Sequence, residues 1–157
     1  MAISDLLDLC NDIATTLGAA ASINRVQGPA ALSEDYPDLP MLQCYPVSGD
    51  TDAGNTASAG SGANDRTTFR AGVRVTETLL RVDIPCRQRS HLAEDMAAVV
   101  GIAQEVQDLL EAQKTKPYFG NATIKGFRWR WEYVNFQRGQ QEIVYPGCRF
   151  DIYVRQF

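Results

Sequence analysis

The chain has 157 residues, 45% of them hydrophobic and 22% charged, with a formal net charge of −4. That length suits one domain that can bury a core without disulfides or a structural metal. The acidic balance argues against a surface that wraps DNA or lies on a membrane, since both need an excess of Lys and Arg to meet anions.

The cysteines, Cys10, Cys44, Cys86 and Cys148, are far apart, with no CxxC pair and no Cys/His cluster. Zinc sites draw their ligands in close pairs, so no metal is expected and each thiol reads as a small buried hydrophobe. Met1 to Leu9 carries Asp5 and Asp8 and no Lys or Arg, unlike a secretory leader. No run approaches the ~20 apolar residues of a membrane span. The expected setting is the cytoplasm, with reduced thiols.

In chain order, Ile3, Leu6, Leu7, Cys10, Ile13, Ala14 and Leu17 recur at spacings of three and four, which predicts a helix over 3–19. Ser4 or Asp5 can cap its start, and Gly18 lies near its end. Pro29, Pro37 and Pro40 break the next stretch into an extended connection. Met41 to Tyr45 reads as a short strand stopped by Pro46, at or near a sheet edge. Residues 48–65, SGDTDAGNTASAGSGAND, hold no large apolar side chain and predict a long flexible loop.

Thr67 to Ile84 is strand-rich. Phe69, Ala71, Val73 and Val75 alternate in one phase and Leu80, Val82 and Ile84 in the other, so a bulge or turn is expected around Thr76 to Thr78. A second helix is predicted over 90–114. Its stripe is Leu92, Met96, Val99, Ala103, Val106 and Leu110, with Ser90 as N-cap and Pro117 beyond the end. Glu94 and Asp95 suit the positive end of that helix. Phe127, Trp129, Trp131 and Tyr133 then alternate with Arg128, Arg130 and Glu132. Cys148, Phe150, Ile152 and Val154 alternate with Arg149, Asp151, Tyr153 and Arg155. A turn at Gln137 to Gln140 joins these runs as an antiparallel hairpin, with a bulge or bend expected at Pro146-Gly147. The fold class is α+β: an antiparallel sheet packed by one long helix, plus an N-terminal helix and flexible loop 48–65, in one domain over 1–157.

No residue set makes a credible catalytic, cofactor-binding or metal site. His91, the sole histidine, neighbours Ser90 and Cys86, but adjacency at a helix start does not give a nucleophile–base geometry, and it reads as a solvent-exposed residue. Asp5, Asp8 and Asp12 share a helix face and read as a solvated surface rather than a metal site. Loop 48–65 has no lysine and no GxxxxGK[ST], so it is not a phosphate cradle. The interleaved Phe127-Arg128-Trp129-Arg130-Trp131 could stack on single-stranded nucleic acid. Alternation separates the two kinds, however, and the aromatics read as core packed under the second helix. Arg128 and Arg130, with Arg149 and Arg155, then form a basic sheet face suited to protein docking.

Taken together, the chain resembles the tail-terminator (tail-completion) proteins of long-tailed bacteriophages. The likeness is one of layout across most of the chain. It is closest in Trp129-Arg130-Trp131-Glu132 through Tyr145-Pro146-Gly147-Cys148-Arg149-Phe150-Asp151-Ile152, and in Arg81-Val82-Asp83-Ile84 running into the helix. The resemblance implies a structural virion protein, not an enzyme. It would form a homo-hexameric ring that caps the tail tube, stops its polymerisation and meets the neck or head-completion protein. DNA would pass through the lumen. Sheet edges and the hairpin 127–154 would make ring contacts, with Arg128, Arg130, Arg149 and Arg155 as candidate intersubunit residues. Loop 48–65 would face the lumen or a neighbouring ring. Rival readings are another head–tail connector ring, a single-stranded nucleic-acid binder with exposed tryptophans, and a hydrolase built on His91 and Cys86.

Overall fold

A computed structural model describes residues 3–29, 32, 38–51, 76–87, 91–113, 122–138 and 141–156. Helix α1 covers Ile3–Leu17, and β1 Arg25–Gln27, β2 Met41–Thr51 and β3 Thr76–Pro85 follow. Helix α2 covers Leu92–Gln113, and β4 Ala122–Arg138 and β5 Gln141–Gln156 close the chain. The five strands form one sheet in the order β1-β2-β3-β5-β4, parallel between β1 and β2 and antiparallel elsewhere. This is the α+β architecture that the alternation and helical spacing predict.

Both helices lie on one face of the sheet. In α1, Leu9, Cys10, Ile13, Ala14 and Leu17 turn inward and are fully or almost fully buried, as the spacing requires. The Gly18 N–H donates to the Ala14 carbonyl at 2.9 Å as the helix ends. The sheet answers with Leu42 and Cys44 of β2, Leu80, Val82 and Ile84 of β3, and Cys148, Phe150, Ile152 and Val154 of β5, all in one cluster with the helices. Burying each such aliphatic or aromatic side chain contributes about 1.5–3 kcal/mol, and this is where the fold is held.

Several expectations change at the margins. The strand expected over 41–45 continues to Thr51, so Pro46 does not stop it and Ser48–Thr51 belong to β2 rather than to the loop. The β2/β3 register shifts between Pro46 and Ser48, which is how a strand accommodates a residue without an N–H. Short β1, absent from the sequence reading, pairs only with Met41 to Gln43. The rest of the 48–65 loop and the first-phase residues 69–75 lie outside the described residues. The bulge or turn expected at Thr76 to Thr78 is not there: β3 runs from Thr76 to Pro85 in unbroken register with β5.

In α2 the buried row is Asp95, Val99, Ile102, Ala103, Val106 and Leu110. Leu92 and Met96, expected in the core stripe, are 61% and 48% exposed. At 100° per residue Met96 falls outside the arc that holds the buried row, and Leu92 lies in the first turn. The aromatic row of β4 is also only half core. Phe127 and Trp131 pack against the cluster, whereas Trp129 and Tyr133 are 39% and 41% exposed. β4 is an edge strand, while α1 packs chiefly on β2 and α2 on β5, so the helical layer does not reach across it fully.

Pro146-Gly147 makes no bulge. Register runs through both residues, and the break in the β4/β5 ladder falls between Ile124 and Gly126. Gly147 answers a different need. A Cβ there would stand 2.2 Å from the Ile84 carbonyl oxygen, so only a residue without a side chain lets β5 lie this close to β3. Gly147→Ala is expected to cost about 2–4 kcal/mol, because the obstacle is backbone and cannot rotate away. Urea unfolding monitored by circular dichroism checks it. A change under 0.5 kcal/mol would contradict the close approach.

Candidate functional site on the outer sheet face

The face of the sheet turned away from the helices carries the charged residues. Period-two alternation places them there, and register aligns them in rows. One row crosses β3, β5 and β4 as Asp83, Arg149 and Arg130. The next reads Arg81, Asp151 and Arg128, preceded on β2 by Tyr45. Opposite charges alternate along β3 and β5 and stand opposite each other in the Asp83–Arg149, Arg81–Asp151 and Arg128–Asp151 pairs, where cross-strand contact is favourable, whereas Arg130 faces Arg149 and the two share Glu132.

Asp151, on the strand between β3 and β4, is 1% exposed. Its carboxylate accepts from Arg81 Nε at 3.0 Å and Arg128 Nε at 3.2 Å, and Arg130 Nη1 lies at 3.5 Å. Burial pulls its pKa up, but the Arg81 hydrogen bond and charge outweigh that with help from Arg128 and Arg130, and the pKa lies below the ordinary 3.8. Asp83 takes a two-pronged contact from Arg149, at 2.6 Å and 3.1 Å, and the Tyr45 hydroxyl donates to it at 2.5 Å. Burial, then that bond, raises the Tyr45 pKa to about 12. Glu132 joins Arg130 at 3.1 Å and Arg149 at 3.6 Å. Near the other end, Glu77 is bound by Arg155 and, at 3.1 Å, by Lys125. The Arg155 hydrogen bond, and after it that of Lys125, holds the Glu77 pKa below 4.5 against the upward pull of burial.

The four arginines read as a basic face thus sit together on one face, as expected, but inside a lattice of carboxylates. Arg149 is the most committed, with a side chain 20% exposed. Arg128 and Arg130 keep 65% and 45% of their side-chain surface in solvent, and neighbouring Lys125 keeps 53%. Asp151 and Asp83 keep only 2% and 11%. Solvent at the β4 margin therefore meets mainly cations. Asp83, Asp151, Glu77 and Glu132 were the unread half of the site. Alternation puts Asp83, Asp151 and Glu132 on the face of the arginine two residues away, but which arginine each one binds, and the Glu77–Arg155 contact altogether, depend on strand register.

Between the charged rows, Ser48, Leu79, Tyr153 and Gly126 align across β2, β3, β5 and β4. They floor a depression of about 420 Å³ rimmed by Glu77 and Lys125. Tyr153 is 39% exposed there, and Gly126 leaves open space beside it.

The remaining candidates lie elsewhere. His91 is exposed, and its carbonyl accepts the Asp95 N–H at 2.9 Å. Cys86 is buried and its thiol donates to the Ile84 carbonyl at 3.4 Å; Ser90 lies outside the described residues. All four cysteines are buried, and they meet in two thiol pairs, Cys10 with Cys44 and Cys86 with Cys148. Hydrogen bonding to the partner thiol, then burial, pushes the Cys44 and Cys148 pKa values up, away from the reactive thiolate. Asp8 and Asp12 are exposed on α1. Asp95, assigned only to the helix dipole, is buried and pairs with Arg87 at 3.2 Å. Among the described residues no group of three His, Cys, Asp or Glu side chains is placed to hold a metal ion, and no helix is long and apolar enough to cross a membrane. No protein-family model matches the chain, and no curated protein matches it in sequence.

Asp151→Asn is expected to cost about 2–3 kcal/mol, since it leaves Arg81 without its buried counter-charge. That lowers Tm by roughly 5–10 °C in a chain of this size. Glu77 and Asp151 have depressed pKa values, so their contribution is complete above their ordinary values of 4.5 and 3.8 and is lost as pH falls through the lower folded values. Wild-type Tm should fall steeply below about pH 4, and less steeply in the Asp151→Asn variant. Equal pH slopes would contradict the assignment. Iodoacetamide should label none of the four thiols in the native chain and all four in guanidinium; native labelling of Cys86 would contradict its burial.

Proposed function

We propose that this chain is a structural ring subunit of a phage tail, capping the tube, ending its polymerisation and joining it to the head or neck while DNA passes through the lumen. One observation carries the reading. The segments that resemble tail terminators, Arg81 to Ile84, Trp129 to Glu132 and Tyr145 to Ile152, are the segments that build the outer face, with its buried carboxylates and exposed cations. Such a face is rigid and multivalent and suits docking rather than turnover. The hairpin adds reach. β5 pairs with β3 only from Gly147 to Gln156, so the β4–β5 ladder runs on from Tyr133/Pro146 to Arg138/Gln141 beyond β3. The net charge of −4 suits a conduit whose wall must not hold DNA. A neck or head-completion ring is the nearest alternative assignment and rests on the same surface.

Exposed Trp129 favours a second reading, single-stranded nucleic-acid binding. Its setting weighs against it. Trp129 and Tyr133 lie on the same side of the sheet as the helices, and neither helix contains a Lys or Arg. The exposed arginines of β4 point to the other side.

Native mass spectrometry across a concentration series, with negative-stain images of the same samples, should show a six-copy ring with a central hole. Persistent monomers whose Trp129 fluorescence is quenched by a short oligonucleotide would overturn the proposal and favour the second reading.

A further inference from the structure

The two layers of this molecule carry opposite charge. Helix α1 holds Asp5, Asp8 and Asp12, and α2 holds Glu94, Asp95, Glu105, Asp108 and Glu111, with no lysine or arginine in either. Of these, Asp8, Asp12, Glu94, Asp108 and Glu111 are exposed. The opposite layer ends at β4 in the exposed cations Lys125, Arg128 and Arg130.

Each layer also leaves apolar surface in solvent. On α2, Leu92, Met96 and Val100 are 61%, 48% and 47% exposed at four-residue spacing, which aligns them along one side of the helix. On the sheet, Leu79 and Tyr153 floor the depression beside Lys125. The dimensions agree. Lys125 to Arg130 spans roughly 16 Å of strand, and Val100 to Glu111, which share one side of the helix, roughly 16 Å. Strand addition at the sheet margins is a poorer match, because β2 is broken there by Pro46 and its bulge, and β4 by charge and its own bulge.

We propose that the outer sheet face of one copy docks on α2 of a second copy. The Leu92–Met96–Val100 side of the helix meets the Leu79–Tyr153 depression, and Asp108 and Glu111, the exposed carboxylates nearest that side, meet Lys125, Arg128 and Arg130. The two surfaces are on opposite layers, so one copy uses both at once. The contact is heterologous and generates a ring if its rotation closes. This rests on the ring reading above and supplies its contact.

The test is a charge exchange read by sedimentation velocity. The first variant carries Lys125→Glu and Arg128→Glu, the second Asp108→Lys and Glu111→Lys. Lysines in the last turns of α2 also suit the helix dipole, and thermal melts confirm that both variants fold. If the first variant melts early, the neutral pair Lys125→Gln and Arg128→Gln replaces it for the single-variant comparison. The wild-type chain should assemble, and each variant alone should associate at least tenfold more weakly. An equimolar mixture of the two charge-reversed variants should recover assembly, because every contact in an alternating ring is then between opposite charges. Wild-type-like assembly of each variant would overturn this contact while leaving the ring reading in place; the cations would then only blunt an edge strand. Weakened variants that fail to recover on mixing would overturn the sheet-to-helix pairing. A wild-type chain that stays monomeric at every concentration would overturn both the contact and the ring.

Discussion

A buried carboxylate on the strand between β3 and β4 sets the terms for the outer face of this sheet. Asp151 is held by Arg81 on one side and by Arg128 and Arg130 on the other, so one charge ties β3, β5 and β4 together where no helix covers them. An unpaired carboxylate at that depth would cost several kcal/mol or take up a proton. The surrounding guanidiniums keep it ionised. Asp83, with Arg149 and Tyr45, repeats the arrangement one row away. The inner face is held by apolar burial and the outer one by ordered charge, and both follow from the same period-two alternation.

That division has a consequence for surface chemistry. Because the carboxylates are buried and the cations reach outward, a nearly balanced lattice presents positive charge at β4. The helical layer on the opposite side presents negative charge. A chain of modest net charge thus has two unlike faces, each with exposed apolar side chains. Charge placed in this way selects partners and fixes register more than it adds affinity, which is what a subunit that must adopt one orientation in a ring requires.

The inner half of the fold was legible in the sequence because burial imposes strict periodicity. Leu80, Val82 and Ile84 on β3, Phe150 and Ile152 on β5, and the Val99 to Leu110 part of α2 all take the sides that their spacing dictates. Legibility failed where a residue's environment depends on what lies across from it. Trp129 and Tyr133 are in core phase, yet β4 is the edge strand and strand order is not written in alternation. Leu92 lies in the first turn of α2, and Met96 falls just outside the arc that the sheet covers. Pro46 was read as a stop because a bulge that absorbs it has no local signature. At the site, the arginines were visible and their partners were not. Pairing Arg149 with Asp83, or Arg128 with Asp151, requires the register between strands as much as 66 residues apart.

Whether the two unlike faces meet each other is read most directly by zero-length carbodiimide cross-linking of a mixture of unlabelled and ¹⁵N-labelled chains, followed by mass spectrometry. Among the described residues Lys125 is the lysine of the outer face, and its own chain offers it Glu77 at 3.1 Å. Head-to-tail association predicts mixed-isotope cross-links from Lys125 to carboxylates of α2, foremost Asp108 and Glu111, alongside the intrachain link to Glu77. Lys125 cross-links confined to Glu77 of the same chain, in a sample that is visibly assembled, would contradict it.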